Sequence, residues 1–233
     1  MTGALRCYTT TEFKCGYLSA QKARNLILDP EQRLTSNLTG HLLDLGFRRN
    51  GEMLYRPHCD SCKACIALRL PVEQFKPNRS QRRNWKKNAG IRHDTHPAEF
   101  NLEHFRLYQR YLQARHGDGS MANPSQDEYL DFLTCNGVAT HFHEFRLDEQ
   151  LIAVAVTDHL PQGLSAVYTF FEPTLAQRGL GTYAILWQIQ YAQQQQLPWL
   201  YLGYWVEQCQ AMRYKARFRP IESFQNGEWQ PLS

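Results

Sequence analysis

Apolar residues recur with helical spacing in some stretches of this chain and with strand spacing in others. Leu34, Leu38, Leu42 and Leu45 fall on one helical face that ends at Gly46. Asp29-Pro30-Glu31-Gln32 supplies an N-cap, a proline for the first helical position and a capping-box partner, so a helix is expected from there to Gly46. Ile66, Leu68, Leu70 and Val72 alternate with Ala67, Arg69 and Pro71. That pattern predicts a half-buried strand, and its proline should keep it near a sheet edge. Residues 80–88 read as a short basic helix ended by Gly90, and Leu102, Phe105, Tyr108 and Leu112 as a longer amphipathic one stopped by Gly117-Asp118-Gly119. Asn123-Pro124-Ser125-Gln126 repeats the capping logic and opens a third helix through Leu133.

The second half changes character. Residues 142–147, 151–159 and 164–171 are β-rich runs separated by Asp148-Glu149-Gln150 and Pro161-Gln162-Gly163, which predicts an antiparallel meander. A helix over about 181–195 follows, then a strand over 199–204, a helix near 208–216 and a hairpin turning at Asn226-Gly227. This order is the layout of the GNAT-type acyltransferase core. The expected fold is therefore α+β, with a GNAT-like core in residues 95–233 and a smaller N-terminal α+β domain, residues 1–94, that carries a cysteine motif.

With 233 residues and 42% hydrophobic content, the chain can bury a core of one large domain or two small ones. No apolar run approaches the roughly 20 residues of a membrane span. The start MTGALRCYTT lacks the basic-then-apolar pattern of a secretion signal, so a cytoplasmic location is expected. Seven cysteines, an odd number without a signal, favour reduced thiols or metal ligands over disulfides. The net charge of +4 is modest, but Arg69, Lys76, Arg79, Arg82, Arg83, Lys86, Lys87 and Arg92 face only Glu73 within their stretch. Such a local excess attracts phosphates.

Four constellations could carry chemistry. Cys59-x-x-Cys62-x-x-Cys65, with Cys15 as a fourth thiolate, suits zinc or an iron–sulfur cluster; the alternative is thiols packed in a turn. Arg178-Gly179-Leu180-Gly181 lies between a strand and a helix, where backbone N–H groups can meet an anion; it is short in glycine for a phosphate cradle, and an ordinary glycine turn is the other reading. SQRRNWKKN places Arg82, Arg83, Lys86 and Lys87 around Trp85, a combination suited to single-stranded RNA ends, or else a solvated face with the indole turned inward. Arg213, Lys215, Arg217 and Arg219 interleave with Tyr214 and Phe218 and could bind phosphates or an acidic side chain.

Taken together, GFRRNGEMLYRPHCDSCKACIALRLPV, FKPNRSQRRNWKKN, AVAVTDHLPQGLSAVYTFFEP and LPWLYLGYWVEQCQAMRYKARFRPIE closely resemble the arginyl-tRNA-protein transferase family, and the compact length resembles its bacterial branch. The resemblance implies an enzyme of the N-degron pathway that moves leucine from leucyl-tRNA to the α-amine of proteins beginning with Asp or Glu. It also implies an N-terminal cysteine-bearing domain, associated in related eukaryotic enzymes with an iron–sulfur cluster, and no requirement for coenzyme A.

An aminoacyl ester is already activated, so the enzyme must hold it beside a neutral amine, remove one proton and stabilise an oxyanion. Asp158 is the candidate for proton handling or amine orientation and Tyr168 for the oxyanion; a turn cap and sheet core are their structural alternatives. Arg217, then Lys215, are the candidates for reading the acidic N-terminus, with tRNA phosphate as the competing partner of Arg217. Two other classes compete: a coenzyme A-dependent N-acetyltransferase, which leaves the cysteines and the basic stretch unexplained, and a non-enzymatic RNA-binding protein, which leaves the second half unexplained.

Overall fold

The computed structural model describes residues 5–116 and 123–232. The helix stop expected at Gly117-Asp118-Gly119 lies outside the described residues, as do the first four residues of the chain start. The N-terminal part runs β1 (Cys7–Thr9), β2 (Phe13–Lys14), β3 (Lys22–Ala23), β4 (Asn25–Leu28), α1 (Ser36–Asp44), β5 (Arg48–Asn50), β6 (Met53–Pro57), β7 (Ile66–Pro71), α2 (Arg79–Lys87) and β8 (Arg92–Pro97). It continues as α3 (Leu102–His116), α4 (Gln126–Leu133), β9 (Ala139–Leu147), β10 (Gln150–Leu160), β11 (Gly163–Phe171), α5 (Leu180–Gln194), β12 (Trp199–Trp205), β13 (Glu222–Gln225) and β14 (Glu228–Pro231). Short 3₁₀ helices at Pro173–Arg178 and Gln210–Arg217 precede α5 and follow β12.

An eight-stranded mixed sheet of order β14-β13-β7-β12-β11-β10-β9-β8 dominates the fold, beside a four-stranded sheet of order β1-β4-β6-β5. The meander β9-β10-β11 forms as the alternating pattern predicts. β7 does not lie at an edge: it sits between β13 and β12. Pro71 is tolerated because β13 pairs only with Leu68 and Arg69, short of the proline. β7 lies on the N-terminal side of the boundary expected near residue 94, and it shares one sheet with every strand of the C-terminal part.

Helix α1 starts later than its sequence suggests. Asp29 accepts from the N–H of Glu31 in a local turn, while Thr35 caps the helix by accepting from Leu38 N at 3.2 Å. Both Asn78 with Gln81 and Ser125 with Glu128 form complete capping boxes at α2 and α4. α5 and α2 cover one face of the large sheet, with Leu68, Leu70, Leu164, Leu200 and Leu202 packed under Ile185 and Ile189. α3 and α4 cover the other face through Tyr108, Leu112, Tyr129 and Leu133 against Val154, Val156 and Phe170. α1 and the four-stranded sheet extend that second face through Leu42, Leu43 and Leu54 against Leu160 and Tyr201.

Candidate active site

The parallel neighbours β11 and β12 pair only over Gly163–Ser165 and Trp199–Tyr201, and their register ends there. Just beyond, β12 bulges against β7 between Tyr201 and Gly203, with Gly203 at φ +70°. A parallel pair that parts company leaves backbone groups without a strand partner, and such groups must be satisfied in another way. Two cations do so here. Arg48 Nη2 donates to Val167 O at 3.0 Å on the β11 side. Lys215 Nζ donates to Leu202 O and Tyr204 O, each at 2.7 Å, on the β12 side.

Arg48 reaches this split because β5 alternates. Arg48 pairs with Tyr55 and Arg49 with Leu54, so the two arginines leave the strand in opposite directions. Arg48 lies against Gly203, where an added Cβ would stand 3.0 Å from its Nη1. Arg49 instead enters the core and binds Asp158 with two parallel contacts, Nη2 to Oδ1 at 2.7 Å and Nε to Oδ2 at 2.5 Å. It also donates to Leu133 O, Thr134 O and Thr140 Oγ1.

Several residues singled out in the sequence take other places than their chemistry suggested. Asp158 is 0% exposed, and Thr140 donates to the carboxylate that Arg49 already binds, so it cannot touch a substrate amine. Lys215 is 8% exposed with its ammonium taken up by two carbonyls, so it does not receive an acceptor side chain. Burial, and Arg48 nearby, push its pKa down to about 7. Trp85 packs into the core against Tyr183, with ring centroids 5.1 Å apart, and is not free to stack on a base. Arg69 lies between the rings of Trp199 and Trp229 and pairs with Asp44 and Glu222. Tyr168 is half-buried among Tyr108, Tyr111 and Phe132, one residue from the carbonyl that Arg48 holds. Burial raises its pKa, so its hydroxyl stays protonated at neutral pH.

The basic elements are brought together. Arg82, Arg83, Lys86 and Lys87 are exposed along α2. Asn84 donates to Arg178 O and Gly179 O, Asn88 donates to Arg178 O, and Lys87 Nζ donates to Gln177 O at 2.6 Å. Gly179, at φ +66°, admits Asn84 closely, whereas a Cβ on Gly181 would meet Phe171 at an ordinary 3.6 Å. Gln81 Nε2 donates to Arg217 O, while the Arg217 side chain itself is exposed. One short helix therefore turns Lys215 inward to the split and Arg217 outward beside α2.

Cys15, Cys59, Cys62 and Cys65 all line one cleft of about 810 Å³ between the small sheet and the end of β12. The Cys15 sulfur accepts from the N–H groups of Tyr17 and Leu18 at 3.4 Å. Burial and the neighbouring thiols push Cys65 up to about 12. Among the described residues, no group of three or more His, Cys, Asp and Glu side chains is arranged to hold a metal ion. Tyr204 closes the wall between this cleft and the split, donating to Gly46 O at 2.9 Å.

Arg48 is not among the residues that sequence pattern singled out. Its signal was the adjacent pair Arg48-Arg49 on a strand, where period two sends one side chain to each face.

A family model described as arginine-tRNA-protein transferase, N terminus, matches residues 13–83, and one described as arginine-tRNA-protein transferase, C terminus, matches residues 103–225. The chain is 49% identical over 229 residues to the aspartate/glutamate leucyltransferase of Alcanivorax borkumensis, covering 98% of this chain and 95% of that one. It is 48% identical to the protein of the same name from Pseudomonas fluorescens, covering 98% and 97% of the two chains, and 48% identical to that of Hahella chejuensis, covering 95% of each. Among solved structures, the C-terminal DUF2156 domain of a candidate lysylphosphatidylglycerol synthetase from Agrobacterium fabrum is similar in fold, with TM-score 0.53 at 15% identity over 83% of this chain and 62% of that one.

Proposed function

The chain belongs to the arginine-tRNA-protein transferase family, and from that membership we propose that it transfers leucine from leucyl-tRNA to the α-amine of proteins beginning with Asp or Glu, so marking them for degradation as N-degrons. The observation that carries the reading is near-full-length identity of 48–49% to relatives named aspartate/glutamate leucyltransferase. The reaction takes place in the cytoplasm, where both leucyl-tRNA and the acceptors are found. Among the described residues no helix is long and apolar enough to cross a membrane, and the reading needs none.

The split between β11 and β12 is the reaction site of a GNAT-like core, and the exposed cations of α2 with Arg178 and Arg217 hold the phosphates of the tRNA acceptor end. The acceptor amine attacks the leucyl carbonyl, the ester bond to the terminal ribose breaks, and an amide forms. The amine loses one proton and the ribose oxygen gains one. Because an α-amine of pKa roughly 7.7–8.0 is partly neutral at cytosolic pH, positioning rather than a strong base supplies most of the rate. The protonated Tyr168 hydroxyl is the donor we assign to the oxyanion. Asp158 acts at one remove, by fixing Arg49.

The cysteine cleft is read as a holder for zinc or an iron–sulfur cluster. What supports this is four thiols on one cleft and two N–H groups on the Cys15 sulfur. Binding requires the thiols to rearrange, since among the described residues no three of them are arranged to hold a metal ion. Such a group would brace the small sheet beside the split, and no step of the transfer passes through it.

The test is incubation of the pure protein with radiolabelled leucyl-tRNA and an Asp-starting reporter, with arginyl-tRNA and acetyl-CoA in parallel. Label from leucyl-tRNA alone on the reporter is the expected result. Transfer from arginyl-tRNA in place of leucyl-tRNA, or acetylation, refutes the reading.

A further inference from the structure

We propose that Arg48 reads the acidic side chain of the acceptor protein, with its free N–H groups pairing to the carboxylate inside the split between β11 and β12. The proposal rests on the transferase reading above and names the specificity residue of that same site.

Charge is out of balance at the split. Arg48 is half-buried, and its only hydrogen bond among the described residues is the one from Nη2 to Val167 O. The two more deeply buried arginines beside it each have acidic partners: Arg49 has Asp158, and Arg69 has Asp44 and Glu222. Among the described residues Arg48 has no ion pair, and neither has Lys215, its buried neighbour. Taking a cation out of water without a counter-charge is costly, and a fold tolerates it where the counter-charge arrives from outside.

Geometry then selects the class of anion. The guanidinium is anchored at one corner by Val167 O and laid against the bare backbone of Gly203, which fixes its plane. A fixed planar fork suits the two oxygens of a carboxylate, which an isosteric amide cannot replace without setting an N–H against an N–H. Phosphates have a separate and more accessible set of cations on α2. Arg217 belongs with that set, since its side chain is exposed and its carbonyl is bound to Gln81 of α2. The split is also where the amine must meet the ester, so a side chain held by Arg48 leaves its own α-amine within a few bonds of the reaction.

The experiment measures kcat/KM for leucyl transfer to peptides differing only in Asp or Asn at the first position, for the wild-type protein, Arg48→Gln and Arg48→Lys, with leucyl-tRNA affinity measured by filter binding on the same preparations. The expected result is that Arg48→Gln lowers the Asp-over-Asn ratio by roughly 10- to 100-fold, the worth of hydrogen bonds to a charged group. Arg48→Lys, which keeps the charge and loses the fork, lowers the ratio less. Leucyl-tRNA affinity stays at the wild-type value. An unchanged ratio in Arg48→Gln overturns the proposal, as does a loss of tRNA affinity with the ratio retained, which assigns Arg48 to phosphate. If Arg48→Gln fails to fold, Arg48→Lys decides: a reduced ratio with tRNA binding intact supports the assignment, and a wild-type ratio rejects it. A wild-type protein that transfers leucine to neither peptide refutes the transferase reading itself, whereas one that transfers to both equally refutes only the role of Arg48.

Discussion

Arg49 and Asp158, 109 positions apart in the chain, meet in a two-point ion pair that ties the four-stranded sheet to the middle of the eight-stranded one. Both side chains are almost wholly buried, at 2% and 1% exposure. A buried pair of this kind adds little net stability over an apolar replacement, but removing one partner strands the other charge. Asp158→Ala is therefore expected to cost about 3–5 kcal/mol, read as a lower urea midpoint. Replacing both, as Arg49→Met with Asp158→Leu, should recover much of that loss. An Asp158→Ala protein of wild-type stability and no activity would mean that the carboxylate works on the substrate after all.

Gly203 is bound to glycine by two independent constraints. Its φ of +70° strains any L side chain, and the Cβ of an alanine would stand 3.0 Å from Arg48 Nη1 and 3.2 Å from its Cδ. Gly203→Ala should lower stability by about 1 kcal/mol or more from the backbone alone. It should also push Arg48 out of the split, so that activity on Asp-starting acceptors falls further than the melting temperature predicts. Equal activity at reduced stability would separate the two effects and leave Arg48 undisturbed.

What the sequence made legible was local. The meander announced itself by alternation and α2 by its basic run ended by Gly90, whereas the capping box of Asn78 and Gln81 that starts α2 is a finding of the structure. The small sheet did not: β1 is three residues long with every one exposed, and β5 is also three, so neither offers a period to count. Asp29 and Thr35 both offer a start for α1; the structure caps the helix at Thr35 and ties Asp29 N to Arg6 O, a contact no local pattern contains. The site was harder still. Asp158 reads as a strand-end carboxylate until Arg49 arrives, and Arg48 reads as half of a basic pair until the parting of β11 and β12 gives it somewhere to go.

The basic face of α2 predicts its own salt dependence. Arg82, Arg83 and Lys86 are exposed and lie beside Arg178 and Arg217 through the hydrogen bonds of Asn84 and Gln81. Each phosphate that is no longer neutralised should flatten the slope of log K against log salt by about 0.7–0.9. Charge reversal at these positions is expected to weaken leucyl-tRNA binding and shallow that slope together. A weaker complex with an unchanged slope would place the tRNA backbone on another face.

The cysteine cleft makes an analytical prediction. Protein purified without oxygen is expected to carry zinc or iron, and Cys59→Ser with Cys62→Ser to carry less of it and to melt at a lower temperature. Chelation should lower the melting temperature of the wild type towards that of the double variant. Fully active protein with neither element in elemental analysis would leave the four cysteines as packing groups.

Acid should destabilise the fold through a cluster of histidines. His141, His143 and His159 gather on the face of the sheet that α5 covers, with the rings of His141 and His159 4.1 Å apart and Trp187 and Tyr191 packed on His143. His143 is held between the hydroxyls of Thr95 and Thr157 at 2.9 and 2.7 Å. Burial first, and the neighbouring imidazoles second, push His143 down to about 3 and His159 down to about 4. Asp158, next in sequence, pulls His159 the other way but with the smallest effect of the three, since Arg49 already occupies its carboxylate. A histidine that stays neutral in the folded state but binds a proton when unfolded withdraws stability as pH falls below about 6.5, and goes on doing so until its folded-state pKa is reached. The melting temperature is thus expected to fall steadily from pH 7 to pH 4. Among the described residues the buried Nε2 of His159 has no hydrogen-bond partner, so a phenylalanine there gives up no hydrogen bond at that nitrogen. His159→Phe should remove up to about one proton from the uptake on unfolding and flatten the slope between pH 6.5 and 4. Melting curves of the two proteins at half-unit pH intervals provide the test: parallel slopes would mean that His159 is protonated in the folded protein and that the acid sensitivity lies in the carboxylates.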